Sequence, residues 1–197
     1  MTTRAAAAQA TRELILDAAL DLFIARPYDD VGMREIAAAA GVSPQTLVNH
    51  FGTKEALFLA GARERYKART AELRYAVPVG DIEAAAEALA TDYEETLDTN
   101  MRLLAIEERV PTVHDALEEG RTFHREWVER TFPAALEGLS GGVRRRRLAQ
   151  LAVAGDISTW RLLRRDHGLS VKQAKLAVRE SIETIHELGD EPAGGAR

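Results

Sequence analysis

Residues 44–50 read Pro-Gln-Thr-Leu-Val-Asn-His, and the side chains among them are those that discriminate between bases at the edges of a DNA duplex. Gln45 and Asn49 carry amides that can bond adenine bidentately, and the methyls of Thr46 and Val48 suit the C5-methyl of thymine. Leu47 and Phe51, four residues apart, would anchor such a helix to a core and leave Pro44, Gln45, Thr46, Val48, Asn49 and His50 on its outer faces. A short helix with polar tips fits a major groove. The plainer alternative is that these polar groups are the solvated face of a small helical bundle. Catalytic or metal chemistry is not indicated. The five histidines show no metal spacing, His114 and His124 being ten apart, and no P-loop, dinucleotide fingerprint or nucleophile elbow occurs. The expectation is a non-enzyme with no cofactor and no metal.

The elements that must position this segment are legible around it. A helix is expected over 33–40, with Ile36 and Ala37 facing inward and the small Ala37 and Ala40 allowing a close helix crossing. Gly41 supplies the positive φ of a tight turn and Val42 plugs the space beneath it. Ser43 as N-cap and Pro44 at the first helical position start the next helix, which Gly52 ends near Phe51. Upstream, a helix over 9–26 places Leu14, Ile15, Ala18, Ala19, Leu22 and Phe23 on one face and stops at Pro27.

With these residues in place, the stretch from Arg12 to Leu57 resembles the N-terminal domain of the tetracycline-repressor (TetR) family of bacterial regulators. The resemblance is carried by Ile15-Leu16-Asp17-Ala18-Ala19 with Phe23, by Arg34-Glu35-Ile36-Ala37, by Ala40-Gly41-Val42-Ser43, and by the string from His50 to Leu57. It implies a nine-helix, all-α dimer whose first three helices bind DNA and whose remainder holds a ligand cavity and a dimer interface. By position, it makes Arg34, Gln45, Thr46 and Asn49 base-edge readers, with His50 and Lys54 on phosphate. Three residues depart from the family pattern. Gly32 stands where a capping Ser or Thr is usual, Val48 replaces an aromatic residue, and Gln45 replaces a small one.

The rest of the chain reads as helix throughout, with segments expected at 54–75, 81–98, 99–109, 112–139, 143–166 and from a Ser170 cap to Gly189. Pro133 should kink or divide the fourth of these. Val171, Ala174, Val178, Ile182 and Ile185 form one stripe, matched upstream by Leu148, Leu151, Ala152, Gly155, Thr159 and Leu162. Paired with a symmetry mate they would make an isologous four-helix interface. The expected dimer contacts are Leu151, Gly155, Thr159, Leu162, Val171, Val178, Ile182 and Ile185. The family places its cavity among helices four to seven, which nominates Tyr93, Leu97, Met101, His124 and Trp127 as a mostly apolar lining for a small organic effector.

Composition sets the outer bounds. The 197 residues, 46% hydrophobic and 29% charged, suffice for a core, and the absence of cysteine excludes a disulfide framework. Net charge is −5, yet residues 1–75 hold ten basic and nine acidic side chains against sixteen and twenty-two in the remainder. The N-terminal part is therefore relatively basic, but any DNA contact must come from a few placed groups and helix N-termini. Without a signal-like or membrane-length apolar run, the expectation is a cytoplasmic protein with no membrane partner. The expected domains are 1–52 for the DNA-binding head, 53–190 for ligand binding and dimerisation, and 191–197 as a disordered tail. The function expected is a ligand-responsive transcriptional regulator, a repressor released from a palindromic operator. The alternative is an adaptor of the same family acting through a protein partner.

Overall fold

The computed structural model describes residues 2–188, so the helix end expected at Gly189 and the tail expected over 191–197 lie outside the described residues. The fold is all-α, with nine α-helices among the described residues. They are α1 (Thr2–Ala25), α2 (Met33–Ala39), α3 (Pro44–Phe51), α4 (Lys54–Tyr75), α5 (Ile82–Leu104), α6 (Pro111–Thr131), α7 (Gly141–Ala154), α8 (Ile157–Arg161) and α9 (Val171–Glu187). The chain packs as two compact units. One holds the residues up to Arg69 together with Asp98–Glu118, the other Thr70–Leu97 together with the residues from Glu119 on.

The helix boundaries follow local chemistry, and in three places they differ from the expectation. α1 starts at Thr2, not near residue 9, because the alanine-rich opening has nothing to break it. The helices expected at 81–98 and 99–109 are one helix, α5. The Asp98-Thr99 pair resembles a cap, yet no Gly or Pro interrupts the backbone there, and Thr99 is buried within the run. Conversely, the single helix expected over 143–166 is divided. Gly155 closes α7, Asp156 caps α8 by accepting from the Ser158 N–H at 2.7 Å, and Leu162–Asp166 form one wide turn of π type. Pro133 divides its segment outright, α6 ending at Thr131 before a short 3-10 turn over Pro133–Leu136.

In the first unit, Ile15, Leu16, Ala19, Leu20 and Phe23 of α1 meet Ile36 and Ala37 of α2, Leu47 of α3 and Leu57, Phe58 and Leu59 of α4. Leu103, Ile106 and Val113 complete that core. The Phe23 and Phe58 rings sit 4.5 Å apart at its centre. The second unit is built on Ala85, Ala86 and Leu89 of α5, Trp127, Val128 and Phe132, Leu151 of α7, Trp160 of α8, and Ala174, Val178 and Ile182 of α9. Its α9 is tied to α5 by Lys175–Glu87 (2.6 Å) and Arg179–Glu83 (3.0 Å), and Arg164 and the Trp160 indole both donate to Glu94.

Candidate functional site

The turn between α2 and α3 is held by a pair of backbone bonds that only a left-handed residue permits. Gly41 has φ of 67°, its N–H reaches Ala38 O at 3.1 Å, and the Val42 N–H reaches Ala37 O at 2.9 Å. Ser43 then begins α3, its Oγ accepting from the Thr46 N–H at 3.0 Å. Leu47 is fully buried, and its burial fixes which faces of α3 point outward. Gln45, Val48 and Asn49 are exposed, Thr46 and His50 are half-buried, and Arg34 is exposed on α2.

The polar groups on α3 are already ordered. Gln45 Nε2 donates to Asn49 Oδ1 at 2.8 Å, and the hydroxyls of Ser43 and Thr46 share a bond of 2.8 Å. The paired amides leave the Gln45 carbonyl as acceptor and the Asn49 NH2 as donor, the combination that the adenine edge requires. Val48 contributes the apolar element, 44% exposed beside them.

Lys54, nominated as a phosphate contact, is engaged inside the unit. Its Nζ donates to Tyr28 O (2.9 Å) and Val31 O (3.1 Å) and lies 4.0 Å from the centre of the Tyr28 ring. Two of its three donors are thus committed to the segment leading into α2. The Tyr28 hydroxyl donates to Glu55 Oε1 at 2.8 Å. Burial, then Glu55, push the Tyr28 phenol far above its usual range. Hydrogen bonds from its own backbone N–H and then from Tyr28 hold the Glu55 carboxyl low against the opposing effect of burial. Sequence reasoning missed the neighbouring clamp in which the Arg109 guanidinium donates to both carboxylate oxygens of Asp29, at 2.8 and 3.3 Å. No local signal links two residues so far apart in the chain.

Of the five side chains nominated for a cavity, three meet in the second unit, around a residue that the sequence did not nominate. The Arg74 guanidinium, only 3% exposed, lies 4.6 Å from the Trp127 ring centre and 5.1 Å from that of Tyr93. Its Nη2 donates to Asp92 Oδ2 at 2.9 Å, and its Nη1 lies 3.4 Å from His124 Nδ1. Thr70 Oγ1 donates to the other Asp92 oxygen at 2.7 Å. The lining is therefore polar at its centre, in place of the mostly apolar one expected. Leu97 is buried in the same unit, whereas Met101 belongs to the first unit and is half-buried. A half-open cleft of about 560 Å3 lies in the first unit, beside Thr53, Leu59, Arg63 and Asp115, and it touches none of the nominated residues.

The expected dimer residues divide by exposure. Leu151, Gly155, Val178 and Ile182 are buried inside the second unit and are corrected to core, because their stripe packs α7 and α9 on their own unit. Thr159 and Ile185 are half-buried, while Leu162 (42%) and Val171 (39%) are open, as are Val153 and Leu176, which were not nominated.

Comparison with known proteins agrees with the residues of the head. Residues 15–60 match the family described as bacterial regulatory proteins, TetR family. The chain is 39% identical over 83 residues to Rv1255c, an uncharacterized HTH-type transcriptional regulator of Mycobacterium tuberculosis, covering 42% of this chain and 40% of that protein. It is 39% identical over 46 residues to the HTH-type transcriptional regulator AlkX of the same organism, covering 23% of this chain and 22% of that one. The matched region thus spans two fifths or less of those relatives' length. A solved transcriptional regulator from Rhodococcus shares the fold over nearly the whole chain, with a TM-score of 0.67, 17% identity, and coverage of 88% of this chain and 95% of that one. Residues 15–60 thus carry the head of the TetR family of bacterial regulatory proteins, and over nearly the whole chain the fold is shared with that solved regulator.

Proposed function

We propose that this protein is a DNA-binding transcriptional regulator, a repressor that leaves a palindromic operator when a small organic molecule occupies the C-terminal domain. The observation that carries the reading is the outer face of α3. With Leu47 buried, it presents the bonded Gln45–Asn49 amides, Val48 and the capped Thr46 together on a rigid helix. Arg34 and His50 supply the flanking cationic or polar contacts, and the third donor of Lys54 is available to a phosphate. In this reading residues 1–52 act as the head and 53–190 as the sensing and pairing part. The head lies wholly within the first compact unit.

One α3 reads only a few base pairs, so specificity requires two heads spaced about 34 Å apart on successive major grooves. The pairing surface is the exposed apolar set Val153, Leu162, Val171 and Leu176 of the second unit. Release then requires only that ligand bind the misaligned dimer more tightly, about 1.4 kcal/mol of differential affinity for each factor of ten. Gel retardation of the chain's own upstream DNA tests this. A specific fragment should be retarded and its footprint should be two-fold symmetric, whereas a single asymmetric half-site bound by a monomer would overturn it.

A further inference from the structure

The side chains around Arg74 turn every donor away from it. The Tyr93 hydroxyl donates to Gly155 O (2.8 Å), the Trp127 indole N–H to the Arg74 carbonyl (2.8 Å), and the Thr70 hydroxyl to Asp92 Oδ1 (2.7 Å). His124 Nε2 lies 3.0 Å from Ala152 O, which can only accept, so that nitrogen carries the proton. Burial and then the Arg74 charge lower the His124 pKa, so the imidazole is neutral and Nδ1 offers its lone pair. What remains facing the guanidinium is a carboxylate oxygen, a lone pair and two aromatic faces. That interior is electron-rich on all these sides, which is the chemistry of an organic-cation receptor.

Besides its bonds to the Arg74 guanidinium, each cage residue has a bond that does not use that side chain. Asp92 is oriented by Thr70, Tyr93 and His124 by backbone carbonyls at the end of α7, and Trp127 by the backbone of Arg74 alone. Gly155 permits the close approach, since a Cβ there would lie 3.2 Å from Leu89 Cδ1 and 3.6 Å from the His124 ring. The occupant fits less completely than its container. Arg74 reaches a single oxygen of Asp92, and its buried Nε has no hydrogen-bond partner. A guanidinium serving as a structural bridge would be expected to engage a carboxylate through both oxygens.

We infer that Asp92, Tyr93, His124 and Trp127 form a receptor for a small organic cation, which Arg74 of the same chain fills when no ligand is bound. This rests on the ligand-responsive reading above and names the ligand class. A ligand needs no empty volume, because it takes the place of the guanidinium, and the tethered side chain is its competitor.

The test is calorimetric titration of the full chain and its R74A variant with methylguanidinium and its neutral isostere methylurea, in the absence of DNA. Removing the tethered competitor should tighten methylguanidinium binding by at least about tenfold over wild type, the scale of a desolvated cation–π contact. The R74A/D92N variant should lose that gain, and methylurea should not bind. If R74A alone does not fold, methylguanidinium should restore its helical circular dichroism and methylurea should not. Equal affinity of wild type and R74A, equal response to methylurea, a preference for an anion such as benzoate, or no rescue would each overturn the inference. Because no DNA is present, failure here is separable from failure to retard an operator.

Discussion

Gln45 and Asn49 stand one turn apart on the outer face of α3 and bond to each other at 2.8 Å. The pair offers a duplex two amides fixed relative to one another, with much of their rotamer entropy already spent. Q45A and N49A should each weaken binding to the specific site by about 1–3 kcal/mol. The double variant should lose less than the sum, because each single change also frees the partner. A double-mutant cycle by fluorescence anisotropy measures this, and strict additivity would show that the two amides act independently.

Leu47 sets the face that those amides occupy. L47A should destabilise the protein by about 2–5 kcal/mol in urea unfolding, because a fully buried side chain of the head core is removed. S43A removes only the cap bond to Thr46 and should cost about 1 kcal/mol. A cost at S43A equal to that at L47A would contradict the assigned roles.

These two residues also show what the sequence made legible. Gly41, Ser43, Pro44 and Gly52 act through their own backbones, so the helix-turn-helix can be read from a short window. Gly155 cannot be read so simply. A lone glycine within a helical pattern is tolerable, and only its closeness to Leu89 and His124, distant in the chain, shows why a side chain would be crowded there. Arg74 and Asp92 are hidden for the same reason. A cation near a helix end ordinarily reads as solvated, and nothing local announces a carboxylate eighteen residues on. The stripe of Val178 and Ile182 shows the converse. Periodicity found the apolar face, but not that the chain itself covers it.

His124 should leave a signature in stability against pH. Burial and then the Arg74 charge hold its folded pKa below its ordinary 6.5, while the bond to the Ala152 carbonyl, and then Asp156 and Asp92, oppose that effect. The unfolded chain therefore binds the proton first. Stability is complete above about pH 6.5 and falls as the pH is lowered from there toward the folded pKa. Urea midpoints at pH 7 and pH 5 check this, and H124Q should flatten the difference. An unchanged slope in that variant would assign the effect elsewhere.

The exposed apolar set of α7 and α9 should decide the association state. L176E and V153E should shift the protein toward monomer in sedimentation, with helicity unchanged, since both side chains are exposed. I182E should instead unfold the second unit, because that position is core. A protein that is monomeric without any substitution would remove the pairing surface from the account.

Sequence-specific reading by α3 is tested by the affinity of the full chain for its upstream DNA across a salt series, beside an unrelated duplex of equal length. Specific binding should exceed the non-specific by about 10³ or more and weaken as salt rises, with Q45A/N49A collapsing the two affinities together. Equal affinity for both duplexes, or no retardation at moderate salt, would contradict it.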